Sequence, residues 1–229
     1  MFAINHAATA LVIKKHYPEA PLSLLLISVQ LMELLWVGFN FAGIEYSTTE
    51  ATVTSVLDVH LAHIPYSHSI LSTLVVASLA WLIIRKGFNK PVIAVATAIA
   101  IASHVLLDVL THSQDIPLTP FTEINKVGLG LYAVPLAAFV VETTYGILCW
   151  WIYRGSMSLL AIIVGFNLAN ITFFSAAIPG PEALLADNPV LLTTVVLVQI
   201  VLTLVLVNRF SDRQDHIRQV KSKPTMPST

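Results

Sequence analysis

Apolar positions along the chain gather into long runs separated by short polar stretches. Five windows, 22–44, 91–111, 128–153, 157–178 and 189–208, each supply about the 20 mostly apolar residues that a spanning helix needs. A sixth, 68–84, is shorter but adequate. Residues 1–13 are apolar and helix-compatible, yet at about 1.5 Å per residue they reach only part way across a bilayer. They predict a short helix packed into the bundle. Helices bond their own backbone groups internally, as the bilayer core demands. The expected fold is all-α: a polytopic transmembrane helical bundle with about six spanning helices plus a short N-terminal helix, one domain over 1–208. Residues 209–229 are polar and basic and end in Pro, Ser and Thr, which predicts a disordered basic cytoplasmic tail. No internal repeat and no glycine-rich phosphate loop is evident.

Composition agrees with the pattern. Charged residues make up 11% of the chain, against roughly 25% in an ordinary soluble domain. So little charge cannot cover a soluble protein of this length. The net charge of −1 offers no attraction for nucleic acid. Cys149 is the single cysteine, which excludes an intramolecular disulfide and any multi-cysteine metal site. No secretory signal peptide is evident, so the first membrane segments are expected to serve as their own insertion signals.

Orientation follows from Lys and Arg. Lys14 and Lys15, then Arg85, Lys86 and Lys90, then Arg154, then Arg209 and the basic tail all fall on one side of a six-span bundle. That side reads as the cytoplasm, with the C-terminus in it, and Trp150, Trp151 and Tyr153 read as an aromatic belt beside it. The opposite loops, 45–67, 112–127 and 179–188, carry Lys126 alone.

Ionisable groups inside a membrane are costly and usually functional, and here they cluster. Window 91–111 closes on SHVLLDVLTH, placing His104, Asp108 and His112 at i, i+4 and i+8 on one helix face. Imidazole, carboxylate and imidazole on one face make a metal-ligand set; the bland alternative is a His–Asp pair that glues helices. A second cluster, DVHLAHIPYSHS, holds Asp58, His60, His63 and His68. Pro65 and Tyr66 mark a turn, Ser67 suits a helix N-cap, and His60 reads as an ordinary loop residue. His6, Glu33 and Glu142 stand alone in sequence. Depth arithmetic places Glu33 and Glu142 each about 16 Å from a helix end, and His6 about 12 Å from Lys14. All then share one slab with His104, Asp108, His112 and His68, from the midplane to the outer face. Histidine and carboxylate without cysteine favour a divalent metal, zinc first with Mn or Fe next, as one ion or two. Glu33 or Glu142 would act as general base, with nothing to choose between them. Asn167, Asn170 and Gln199 read as interhelical hydrogen-bonding groups.

The order of these motifs resembles a known family. INH with His6, a carboxylate in the next helix, HIPYSHS with His63, His68 and Ser69, SHVLLDVLT with Ser103, His104, Asp108 and Thr111, and the turn IPLTPF are similar to the membrane-bound metal-dependent hydrolases (YdjM-like, LexA-regulated inner-membrane hydrolases). That family shows an N-terminal His, LPDxD, HRGxTHS, SHxxxDxxT and a VPLxxP turn. The likeness covers about the first 125 residues. It departs at LPDxD, where QLMELLWVG leaves Glu33 to stand in for the first aspartate and nothing for the second. His112 occupies a position where the family often has Pro, and Asp115 is an extra acid. A fainter likeness to zinc-dependent phospholipase C rests on HVLLD, but its HxxxE partner fails because Ala138 stands four before Glu142. The resemblance implies hydrolysis in a bacterial inner membrane.

Three readings follow. The first is a membrane-embedded metal-dependent hydrolase acting on an amphiphilic or lipid-linked ester. The second is a metal- or proton-coupled transporter. The third is a non-catalytic membrane protein stapled by its metal. HExxH is absent, and nothing separates phosphoesterase from amidase or protease chemistry.

Overall fold

The computed structural model describes residues 1–222 apart from 176 and 179; for residue 123 and for 212–222 it describes the backbone alone. Among the described residues the chain is mostly helical. Helix α1 is Ala3–His16, α2 is Leu22–Val29 and α3 is Leu31–Phe41. Helix α4, Ile70–Leu82, runs on through a π turn to Gly87, and α5 is Pro91–Thr111. Then come α6 Pro135–Tyr153, α7 Met157–Ala169 and α8 Pro189–Ser222. Two antiparallel hairpins interrupt them: β1 Tyr46–Thr49 with β2 Val59–His63, and β3 Ile116–Thr119 with β4 Thr122–Val127.

Local chemistry sets the boundaries. Proline opens α5 and α6 at a position where the missing N–H would have no partner. Ser156 caps α7 through Leu159 N–H at 3.1 Å. Helix α4 is capped by Ser69, whose hydroxyl accepts from Ser72 N–H at 3.2 Å. The expected cap, Ser67, lies two residues too early and is engaged elsewhere.

Among the described residues, four helices are long and apolar enough to cross a membrane: Ile70–Gly87, Pro91–Thr111, Pro135–Tyr153 and Pro189–Ser211. The pair α2 and α3 makes a fifth if counted as one span bent by 51°. The expectation of about six spans therefore contracts. Window 128–153 begins its helix only at Pro135, after Gly130 turns left-handed (φ 72°). Window 157–178 yields the 13-residue α7, stopped at Asn170. The polar stretches 45–67 and 112–127 hold the two hairpins, which an all-helical reading omits. Of the expected disordered tail, the side chains of 212–222 are not described and 223–229 lie outside the described residues.

Large apolar side chains also face outward: Leu106 is 69% exposed, Val140 61% and Val205 57%. In water such a surface would be a liability; against hydrocarbon it is the required one. Helices apolar on every face are the architecture of a membrane protein.

The short N-terminal helix sits at the centre of the bundle. Ile4, Ala7, Ala10, Leu11 and Ile13 are buried in a core with Leu25, Leu26, Val29, Leu159 and Ile163. Its alanines let five neighbouring helices approach closely. Gly146 of α6 does the same from the other side: a Cβ there would lie 2.8 Å from Asn5 Oδ1 and from Ile163 Cγ2. Because α1 is central, its polar residues Asn5 and His6 are delivered to the middle of the molecule.

Candidate metal centre

Five side chains from four parts of the chain meet at the end of the bundle where α1 begins and α5 ends. Helix α5 presents His104 and Asp108 one turn apart, with His104 Nε2 3.0 Å from Asp108 Oδ2. Helix α1 brings His6, whose Nε2 lies 3.2 Å from Asp108 Oδ1. Its ring stacks on that of His104 at 4.2 Å between centroids. Glu33 comes from the first turn of α3, and His68 from the turn before α4. Glu33 Oε2 lies 3.1 Å from His68 Nε2 and 3.5 Å from His104 Nε2. All but Glu33 are buried; Glu33 is 22% exposed.

Among the described residues two overlapping groups could each hold a metal ion: His6, His104 and Asp108, and Glu33, His68 and His104. Donors 2.0–2.2 Å from a common ion stand roughly 3.0–3.5 Å from one another, the spacing found here. The donors are also unsatisfied. Both ring nitrogens of His6, His104 Nε2 and Asp108 Oδ2 are buried without a hydrogen-bond partner. Asp108 Oδ1 has one donor, the Met1 nitrogen at 2.7 Å. Buried polar atoms are normally paired, and lone pairs facing each other at 3.0 Å need a shared proton or a cation among them. The donor set fits a divalent cation.

The break between α2 and α3 contributes directly. At Gln30 the chain bends, and the Gln30 amide donates to the Ala3 carbonyl at 2.6 Å. Val29, last in α2, is left with a carbonyl that accepts from His104 Nδ1 at 2.9 Å. With Nδ1 carrying the hydrogen, the neutral ring turns the lone pair of Nε2 to the acids.

The other expected site residues are placed differently. Glu142 is fully buried but belongs to neither group. It accepts from Asn5 Nδ2 at 2.6 Å, the Tyr132 hydroxyl at 2.9 Å and Phe2 N–H at 3.1 Å. His112 does not continue the stack of His104 and Asp108. Helix α5 ends at Thr111, and His112 swings into extended backbone (ψ 154°) with its Nδ1 3.5 Å from Asp115 Oδ2. His63 pairs with Tyr46 across the first hairpin, its ring stacked on the tyrosine at 5.6 Å. His60 meets Glu50 on the surface at 2.8 Å. Asp58 closes a capping box. Slight burial works against its ionised form, but hydrogen bonds from Thr54 and Ser55 hold its carboxyl below the usual carboxylate range.

Sequence reading overlooked Glu45. It is fully buried, accepts from Tyr66 and Ser67, and leads through Ser67 to His68. The available signal was a lone acid in FAGIEYS, where an apolar run meets a loop. Tyr132 was overlooked too, and nothing in its surroundings would have flagged it.

A cavity of about 140 Å³ opens onto the cluster. His6, Glu33, His68, Asp108 and His112 line it. Leu61 and, from α8, Leu192, Val195, Val196 and Gln199 also line it. A second cavity of about 220 Å³ adjoins it at His112 and Tyr132, beneath the hairpin residues Val59, His60 and Leu61. No family model, curated protein or solved structure matches the chain.

Proposed function

We propose that the chain is an integral-membrane, metal-dependent hydrolase acting on an amphiphilic, lipid-linked ester. The carrying observation is the mixed lining of one cavity: unsatisfied His6 and Asp108 donors together with aliphatic side chains of α8. A substrate with a polar ester and an apolar tail has a place for each. The motif order His6, His68, His104–Asp108 supports the same reading through its resemblance to the membrane-bound hydrolases.

His6, His68, His104 and Asp108 would hold the ion, with zinc the first assignment and Mn or Fe the next, leaving Glu33 beside it. Bound there, it would polarise a phosphoryl or carbonyl oxygen and acidify water. Glu33 lines the cavity and is the one cluster carboxylate that is partly exposed, so it is assigned to hold the proton of the attacking water. His68 Nε2 lies 3.1 Å from that carboxylate and His104 Nε2 3.5 Å from it. Leu192, Val195 and Val196 exclude water along α8.

The proposed setting is a bacterial inner membrane with the site toward the outer face and the C-terminus in the cytoplasm. Basic residues support this orientation. Lys14 and Lys15 end α1, Arg85 and Lys86 end α4, Lys90 precedes α5 and Arg154 follows α6. Lys15 Nζ reaches the Ile152 carbonyl at 2.6 Å, so these ends share the side away from the cluster.

The test is metal content by mass spectrometry on detergent-purified protein, with hydrolysis measured on lipid phosphate and carboxylate esters. Stoichiometric metal, lost in His104→Ala and Asp108→Ala, with turnover lost in Glu33→Gln, is the expected result. A folded wild type that takes up no metal on reconstitution, or turnover indifferent to Asp108 and Glu33, would overturn the proposal.

A further inference from the structure

The two pinned histidines of the cluster are held by different devices. His104 Nδ1 bonds a backbone carbonyl, which can only accept. His68 Nδ1 lies 2.8 Å from Ser67 Oγ, a hydroxyl that could donate or accept. What settles the direction is Glu45. Its Oε1 accepts from Tyr66 N–H at 2.7 Å and Ser67 N–H at 2.9 Å, and its Oε2 accepts from Ser67 Oγ at 2.5 Å. An ionised carboxylate donates nothing, so the single hydroxyl proton of Ser67 is committed to Glu45. Toward His68 the serine offers only a lone pair, and His68 must carry its hydrogen on Nδ1. Nε2 faces Glu33 Oε2 at hydrogen-bond distance, 3.1 Å; with the Nδ1 hydrogen already placed, a hydrogen on Nε2 is a second one, held toward that carboxylate, and it is the one a cation would displace.

We propose that Glu45 is a positioning residue of the centre: acting through Ser67, it fixes the tautomer of His68 that presents Nε2 to a cation. The inference rests on the metal reading of the cluster but not on any reaction. It is not a nucleophilic triad. Ser67 is fully buried, and its proton goes to the acid rather than to the histidine.

The arrangement makes an isosteric substitution informative. In Glu45→Gln the amide oxygen must face the N–H groups of Tyr66 and Ser67, because turning the NH₂ toward them would set donor against donor. The NH₂ then donates to Ser67 Oγ, and the serine proton is released toward His68 Nδ1. Nδ1 must become the acceptor, Nε2 takes the hydrogen, and the lone pair that would bind a cation is lost. One atom changed in Glu45 inverts a ring it does not touch.

The experiment combines two readouts on the full-length chain in detergent. Nitrogen-15 NMR of labelled histidine in metal-free protein reads the tautomer directly. Competition of zinc against a chelator reads affinity. Wild type should show His68 protonated at Nδ1, and Glu45→Gln should show it at Nε2 with zinc affinity down 10–100-fold, the usual cost of losing a partner behind a ligand histidine. Adding Glu45→Gln to His68→Ala should cost nothing further. Ser67→Ala leaves the acceptor duties of Glu45 to the backbone intact and should give mixed tautomers with a smaller loss, which serves if Glu45→Gln fails to fold. An Nε2–H tautomer in wild type, or a pure Nδ1–H tautomer in Glu45→Gln or Ser67→Ala, would overturn the proposal. A wild type with the expected tautomer, inverted in Glu45→Gln, that binds no zinc would leave the relay standing and remove the metal reading instead.

Discussion

Glu142 and Asp108 are both buried carboxylates, both reached by α1, and they occupy opposite chemical situations. Glu142 receives hydrogen from an amide, a phenol and a backbone N–H within 2.6–3.1 Å. Asp108 receives one hydrogen bond, from the Met1 ammonium to Oδ1 at 2.7 Å, and otherwise faces two imidazole nitrogens at 3.0 and 3.2 Å, with no donor to Oδ2 among the described residues. Adjacent residues of one helix make the difference: Asn5 turns to Glu142, and His6, about 100° further round, turns to Asp108. An acid supplied with protein donors is finished as a structural element. An acid with one oxygen bonded to an ammonium and the other set against imidazole nitrogens keeps room for something brought to it. The contrast teaches that intramembrane carboxylates are sorted by what faces them, not by depth.

The sharpest way to break the contrast is to remove each acid in turn and measure metal. Asp108→Ala should abolish stoichiometric binding, whereas Glu142→Gln should retain it. If both variants lose metal equally while folded, the two acids belong to one centre and the distinction collapses.

Stability should respond in the reverse order. Glu142→Ala strands the Tyr132 hydroxyl and Phe2 N–H and leaves Asn5 Nδ2 with Asn167 alone, and each orphaned buried donor costs about 1–3 kcal/mol. A drop of many degrees in thermal melting is expected, with Glu142→Gln losing less because its amide oxygen still accepts. A melting temperature unchanged in Glu142→Ala would mean that water reaches this network.

Helix existence and the pairing of His104 with Asp108 were legible because both depend on short-range periodicity. The i, i+4 spacing forces them onto one face whatever surrounds them. The same logic failed for His112, since periodicity carries no information about where a helix stops, and α5 stops one residue early. Long-range placement split similarly. Equal depth brought His6, Glu33 and His68 into the right slab, but depth says nothing of direction around a helix, so Glu142 was grouped with them. The bend at Gln30 and the two hairpins were invisible: neither Pro nor Gly marks the bend, and the hairpins lie in stretches that read as loop. Glu45 was missed because its role exists only once Ser67 and His68 fold back over it.

His63 offers a milder test of the same contrast. It shares a motif with His68, yet its ring lies against Tyr46 in a hairpin and belongs to neither candidate group. His63→Ala should keep full metal content where His68→Ala loses it. Equal losses would require the hairpin to fold down onto the cluster when metal binds.

The smallest effect belongs to the interhelical amides. Gln199 Nε2 donates to Asn170 Oδ1 at 2.8 Å, joining α8 to the end of α7. Such bonds are worth about 0.6 kcal/mol on average in a membrane bundle, because the separated helices find other partners. Gln199→Leu should therefore shift melting by a degree or two and leave metal content intact. Gln199 also lines the cavity from α8, so the variant makes that lining more apolar without touching a candidate ligand. If the α8 lining receives a lipid tail, turnover of long-chain esters should hold or rise relative to short-chain ones. A collapse of turnover with normal metal and normal melting would place a polar part of the substrate on α8, and reverse the assignment of that lining.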